Sequence, residues 1–309
     1  MMSSRFKRRL AVATEMLVAV CMLSSSILLG QRRSGSHATN VRPSMSPAAR
    51  ALVEQAAGII CTEAKLDPKA SVPIDDMQAR PSLPVHSEEA VSGAELAQRL
   101  LPVARNLVVQ AMQQLVIEYG LQHSRLLNLR MRDAIARVEG VRRVRPDMAS
   151  RDNASVYLSH PHTITFGTIF LAGLPSDEGM ISVLSHELMH IADGDNDSLH
   201  ILVSAVAARA NALTKLDVSG QRGEELTCDL IGAMAVRAYV ADTPSYESLP
   251  RRLARSAEHN CVEVDEGDED HLSPRSTIKA LLALNTTLVR ELVYGREERP
   301  VAPRTPRNP

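Results

Sequence analysis

Two histidines four residues apart, with a glutamate beside the first, form the densest cluster of chemistry-bearing groups in this chain: His186-Glu187-Leu188-Met189-His190. On an α-helix that spacing places both imidazoles on one face, one turn apart, where they can bind a single ion. A zinc ion with three protein ligands keeps a fourth position for water and acidifies it, and an adjacent carboxylate, here Glu187, can then take its proton during attack on a peptide carbonyl. At this chain's His and Glu frequencies the pattern arises by chance in roughly 2% of such sequences, so its surroundings must decide.

A third ligand is required. The longer pattern that ends in a third histidine fails, because Asp193 stands where Gly is needed and Asn196 where His is needed. A carboxylate must therefore come from downstream. In Arg222-Gly-Glu-Glu-Leu-Thr-Cys-Asp229, Glu225 and Asp229 are four apart on one helical face, so one can bind the metal while the other orients a histidine. Glu225 is the expected ligand. Glu224 points about 100° away on helical geometry and reads as an acidic residue at a helix start, favoured by the macrodipole. Asp193, Asp195 and Asp197 alternate as calcium-loop ligands do, but the Gly and distal Glu are missing, and they read as a solvated loop.

The motif has to be held in place, and the sequence supplies candidate elements. Ser176 can cap a helix that opens with Asp177 and Glu178 and runs through Ile191 to stop at Asp193-Gly194. Before it, Ala154–Leu158 and Thr163–Leu171 read as two short strands around a Ser-His-Pro-His turn, the only clear β signal. Further helices are expected from Ser92, where Glu95 completes a capping box and Pro102 should kink or restart the helix, and over Ser124–Val138, Ser198–Leu213, Gly223–Val240 and Ser273–Tyr294. Thr163–Leu171 could offer an unpaired edge to an extended peptide. Residues 34–91, with Pro68, Pro73, Pro81 and Pro84, read as a flexible tether, and residues 300–309 as a disordered tail.

Arg5, Lys7, Arg8 and Arg9 precede a largely apolar stretch, Leu10–Gly30, so residues 1–33 read as an uncleaved membrane anchor with the rest of the chain on the extracytoplasmic side. Secretion after cleavage and a mitochondrial presequence are the alternatives. No stretch after residue 30 reads as long and apolar enough to span a bilayer. Beyond residue 33 the chain is mildly acidic and has no Trp, which argues against nucleic acid as a partner. Cys61 with Cys261 is the candidate disulfide, while Cys228, inside a helical pattern, reads as a small buried residue.

With these residues in view, HELMH followed by a helix carrying Glu225-Leu-Thr-Cys-Asp229 resembles the gluzincin membrane-associated zinc metallopeptidases of the HtpX, CAAX prenyl endopeptidase and BepA type. The resemblance spans about residues 92–292 and is weak before 150. It departs from the family at Cys228, where Ala is usual, in the short gap between His190 and Glu225, and in the displacement of Pro274 from His271. It implies Glu225 as third ligand, Asp229 as supporting partner, and Asn153 and His271 as stabilisers of the substrate or oxyanion.

The expectation is thus an α+β, mainly α, zincin-like domain over residues 92–299 with a small β-sheet. It would bind one Zn2+ per chain at His186, His190 and Glu225, with Glu187, His271 and Asn153 catalytic. The expected activity is endopeptidase cleavage of membrane or envelope proteins, with protein or peptide substrates that include misfolded envelope proteins; the rival is a zinc-stabilised chaperone or assembly factor with little proteolysis.

Overall fold

The computed structural model describes residues 44–295 apart from 73, 158, 195–197 and 263–265. The anchor segment 1–33, the tail 300–309, and Asp195 and Asp197 lie outside the described residues. The N-terminal half comprises α1 (Pro47–Leu66), α2 (Ile74–Ala79), α3 (Glu88–Glu118), α4 (Arg125–Gly140), β1 (Arg143–Asp147), β2 (Ala154–Val156) and β3 (Thr163–Gly167). Then follow α5 (Thr168–Ala172), α6 (Asp177–Asp193), α7 (His200–Thr214), α8 (Gln221–Asp242), α9 (Leu249–Ala254), a 3-10 turn at Glu258–Cys261, α10 (Pro274–Leu284) and α11 (Thr286–Tyr294). The architecture is mainly helical with one small mixed sheet, in line with an α+β, mainly α fold.

The tether reading of residues 34–91 is corrected from residue 44 onward. Ser46 caps α1, its Oγ accepting from the Ala49 N–H at 3.2 Å, and Pro47 occupies a first-turn position that needs no N–H donor. Val53, Ala56, Ala57, Ile60 and Ala64 recur at helical spacing and are buried against α9, α10 and α11. An alanine-rich apolar stripe supplies this helix despite the polar residues around it. The folded unit therefore begins well before Ser92.

The longest helix, α3, starts at Glu88 with Ser87 as its cap rather than Ser92, and it continues through Pro102 without a break. Pro102 and Gln98 are both exposed, so the Gln98 carbonyl deprived of its donor faces water. By length and composition α3 is apolar enough to cross a membrane, contrary to the reading of the sequence; half of its most apolar window is buried inside the protein, as in a core helix. Its buried residues, Leu100, Leu101, Val108 and Met112 among them, belong to a core shared with α5, α6, α8 and β1.

The sheet has the order β1-β3-β2, with β1 parallel and β2 antiparallel to β3. Being central, β3 is paired on both sides. It offers no edge to a peptide, and the edges belong to β1 and β2. The segment read as one strand over Thr163–Leu171 turns into α5 at Thr168. Gly167 permits that turn, because a Cβ there would lie 2.0 Å from the Arg151 carbonyl oxygen. Near the C-terminus, the single helix expected over Ser273–Tyr294 is two, since the Asn285 side chain accepts from the Leu288 N–H at 3.1 Å and starts α11 afresh.

A covalent tie and an ionic network hold α1 to the C-terminal part of the described residues, and the ionic one takes in α6. Cys61 of α1 and Cys261 are disulfide-bonded across a sequence separation of 200. In the ionic network, Glu178 in the first turn of α6 accepts from Arg252 at 2.6 Å and from Arg255 at 3.5 Å, and Arg255 also pairs with Asp67 at 2.9 Å. The four side chains are between 3% and 7% exposed. Removing one member leaves an uncompensated buried charge. Glu178→Ala is expected to lower the unfolding free energy by about 3 kcal/mol or more, measured by urea denaturation. On the rim of this network the Arg255 guanidinium holds the Glu247 carboxyl down at about 2, against an ordinary value of 4.5. Because the folded pKa is depressed, the contribution is complete above 4.5 and is lost as pH falls through about 2. Melting curves over that window should show a smaller acid loss of stability in Glu247→Gln than in the parent chain.

Candidate metal centre

The helix α6 is capped at its start by Ser176, whose Oγ accepts from the Gly179 N–H at 3.1 Å, and it ends at Gly194 with φ 69°. Arg137 of α4 secures the far end: its Nε donates to the Ile191 carbonyl at 3.1 Å and its Nη2 to that of Ala192, placing a cation on the negative end of the helix. Asp193 is buried rather than solvated, its Oδ1 accepting from the Leu199 N–H at 2.5 Å. So held, α6 presents His186 and His190 one turn apart with their Nε2 atoms separated by 3.1 Å.

The facing helix is α8. The two pack closely where Gly232 meets α6, since a Cβ on Gly232 would come within 3.0 Å of the Ser182 carbonyl oxygen. This approach brings Glu225 Oε2 to 3.3 Å from His186 Nε2 and 3.4 Å from His190 Nε2. On the outer edges of the rings, Asp229 Oδ1 stands 2.9 Å from His186 Nδ1, and Glu224 Oε1 3.2 Å from His190 Nδ1. Cys228 Sγ is 3.7 Å from the same His190 Nδ1. Gln221 donates to Glu225 Oε1 at 3.1 Å, which fixes the carboxylate from behind.

His186, His190 and Cys228 form a group that could hold a metal ion. The thiol meets the Nδ1 edge of His190, however, while the two Nε2 atoms and Glu225 Oε2 converge on a different point. Tetrahedral zinc with bonds of about 2.0–2.1 Å sets its ligand atoms roughly 3.3–3.4 Å apart. The three separations here, 3.1, 3.3 and 3.4 Å, suit that spacing. With only side chains in the centre, burial works against a charged His186, but hydrogen bonds to Asp229 and Glu225 outweigh it and leave its pKa well above the imidazole range. Burial likewise raises Glu225, and its bonds to His186 and His190 overturn that and hold it far below the carboxylate range. A metal would therefore take the place of protons on the imidazoles.

A cleft of about 260 Å³ opens beside His186 and Glu187, and Asn153 and Asp229 also line it. Its apolar wall includes Val183 and Ile278. Glu187 is 7% exposed. Asn153 reaches the cleft from a turn that its own backbone closes, its N–H donating to the Ser150 carbonyl at 3.0 Å and its carbonyl accepting from Gly167 at 2.7 Å. His271 places Nε2 3.6 Å from Glu225 Oε2, with Nδ1 3.2 Å from Asp268 Oδ1, and its side chain is 57% exposed. All seven residues singled out in the sequence thus lie at the two-helix seam or its cleft.

Sequence reasoning missed the partners of His190. Glu224, read as a helix-start acid, meets the ring, and so does Cys228, read as a small buried residue. The available signal was their own spacing of four, which lays a second stripe along α8 beside Glu225 and Asp229. No protein-family model, curated protein or solved structure matches this chain, so what the centre does is judged from its own donor set.

Proposed function

We propose that this chain is a zinc-dependent endopeptidase of the gluzincin type, with His186, His190 and Glu225 as the metal ligands. The observation that carries the reading is the convergence of two Nε2 atoms and one carboxylate oxygen at zinc-ligand spacing, beside a cleft that Glu187 lines. Glu225 is preferred to Cys228 as third ligand because the thiol lies against the wrong nitrogen of His190. Zinc bound there would supply a Lewis acid that acidifies water and polarises a carbonyl.

The remaining work falls to the chain's own groups. Glu187 takes the proton from the attacking water and passes it to the leaving amine. Asp229 and Glu224 each accept from the Nδ1–H of one histidine, which fixes the tautomer and leaves both Nε2 lone pairs for the metal. His271 and Asn153 are the candidates to stabilise the oxyanion. Peptides of membrane or envelope proteins are the proposed substrates, reached from an N-terminal anchor on the extracytoplasmic side. The Cys61–Cys261 disulfide suits such an oxidising compartment.

Glu187→Gln should keep one equivalent of zinc and lose about 10²–10⁴-fold in the rate of peptide cleavage. Persistent chelator-sensitive cleavage in that variant would remove Glu187 from the role of base. Retention of cellular function by the same variant would favour a zinc-stabilised chaperone or assembly factor. Zinc titration separates the ligand sets. Glu225→Ala should fail to hold a full equivalent, Asp229→Ala should bind about 10–100-fold more weakly, and Cys228→Ser should bind as the parent does. Loss of metal in Cys228→Ser alone would hand the third position to the thiol.

A further inference from the structure

Outside the metal centre, the outward face of α4 is unlike the rest of the surface. Leu127, Met131, Ala134 and Val138 form its buried stripe. At 100° per residue, Leu129 lies nearly opposite that stripe, with Arg125 and Arg132 on one side of it and Leu126, then Arg130, on the other. Leu126 is 51% exposed and Leu129 56%. The first two turns thus turn two leucines to the outside, flanked by three exposed arginines, and carry no acid before Asp133. None of the three arginines is drawn into an ion pair or hydrogen bond among the described residues. Ile117, in the last turn of α3 and 67% exposed, stands at the same end of the molecule across the short Tyr119–Ser124 connection.

Between Ser124 and Arg145 the chain carries seven arginines against Asp133 and Glu139, although its overall charge is -1. A face that only needed solubility would not place leucines at its outermost points. A face that gripped nucleic acid would put arginines there, with hydrogen-bonding side chains in place of leucine. Leucines at the pole with arginines flanking them match the interfacial pattern, in which apolar side chains enter the acyl boundary and long cationic ones reach back to the headgroups. We propose that the first two turns of α4, through Leu126, Leu129, Arg125, Arg130 and Arg132, rest on the surface of a bilayer rich in anionic lipid. Charge complementarity selects the occupant: the arginines meet phosphate headgroups while the leucines leave water. The proposal stands apart from the zinc reading, since no residue of the centre takes part.

The absence of Trp from the chain makes a local test possible. Full-length Leu129→Trp, reconstituted with vesicles containing phosphatidylglycerol, should shift its emission to the blue and be quenched by brominated acyl chains. In pure phosphatidylcholine vesicles the emission should stay close to that in water. Leu66→Trp, at a site 66% exposed on α1, should stay unshifted in both. Adding Arg125→Glu, Arg130→Glu and Arg132→Glu to the reporter should abolish the shift while the far-UV dichroism and zinc content are kept. Equal emission of Leu129→Trp in the two lipids, or an equal shift at Leu66→Trp, overturns the proposal. So does a shift that grows with protein concentration without lipid, which would mark a second copy as the occupant, or one produced by a DNA duplex.

Discussion

Everything at the candidate metal centre depends on how closely α6 and α8 approach. The histidines belong to one helix and all their carboxylate partners to the other, so the centre exists only at one register and one separation of the pair. Gly232 against the Ser182 carbonyl permits that separation. At this distance four acceptors on α8 meet two rings on α6, and they do so as two stripes, Glu225 with Asp229 and Glu224 with Cys228. A larger residue at the crossing would move every one of these contacts together, because helices move as rigid bodies while side chains adjust only locally.

The two ends of α6 are fixed by different physics. At the N-terminal end Glu178 is locked to Arg252 and Arg255 away from water, in a network whose value lies in position as much as in stability. At the C-terminal end Arg137 neutralises carbonyls that have no partner within the helix. The cleft beside Glu187 is bounded by Asn260, next to the bridged Cys261, so the disulfide steadies one wall of the cleft as well as joining distant parts of the chain.

The local part of this design was legible in the sequence. The spacing of His186 and His190, the cap at Ser176, and the pairing of Glu225 with Asp229 are all statements about a single helix, and helical periodicity delivers them. The Cys61–Cys261 pair was legible only as a candidate, since spacing does not fix connectivity. What escaped depends on neighbours. Glu224 is a partner of His190 because of the rotation of α8 against α6, which no window of sequence reports. β1, Arg-Val-Arg-Pro-Asp, lies outside the two segments with a β signal, and it is a strand because it lies along β3 at an edge of the sheet where its charges and its proline are tolerated. The continuity of α3 through Pro102 likewise rests on where solvent lies.

The position of α1 has a consequence for how the molecule is made. Its buried face rests on α9, α10 and α11, and its cysteine waits for Cys261, so the first described helix completes its packing with the last ones. During synthesis the ribosome releases α1 long before those partners exist, and its apolar stripe must stay soluble, or sheltered by a chaperone, while nearly 200 residues follow. The seam between α6 and α8 that carries the candidate metal site lies in the middle of that interval. It can assemble while α1 and the C-terminal helices are still apart, which leaves the closing of α1 onto them for later.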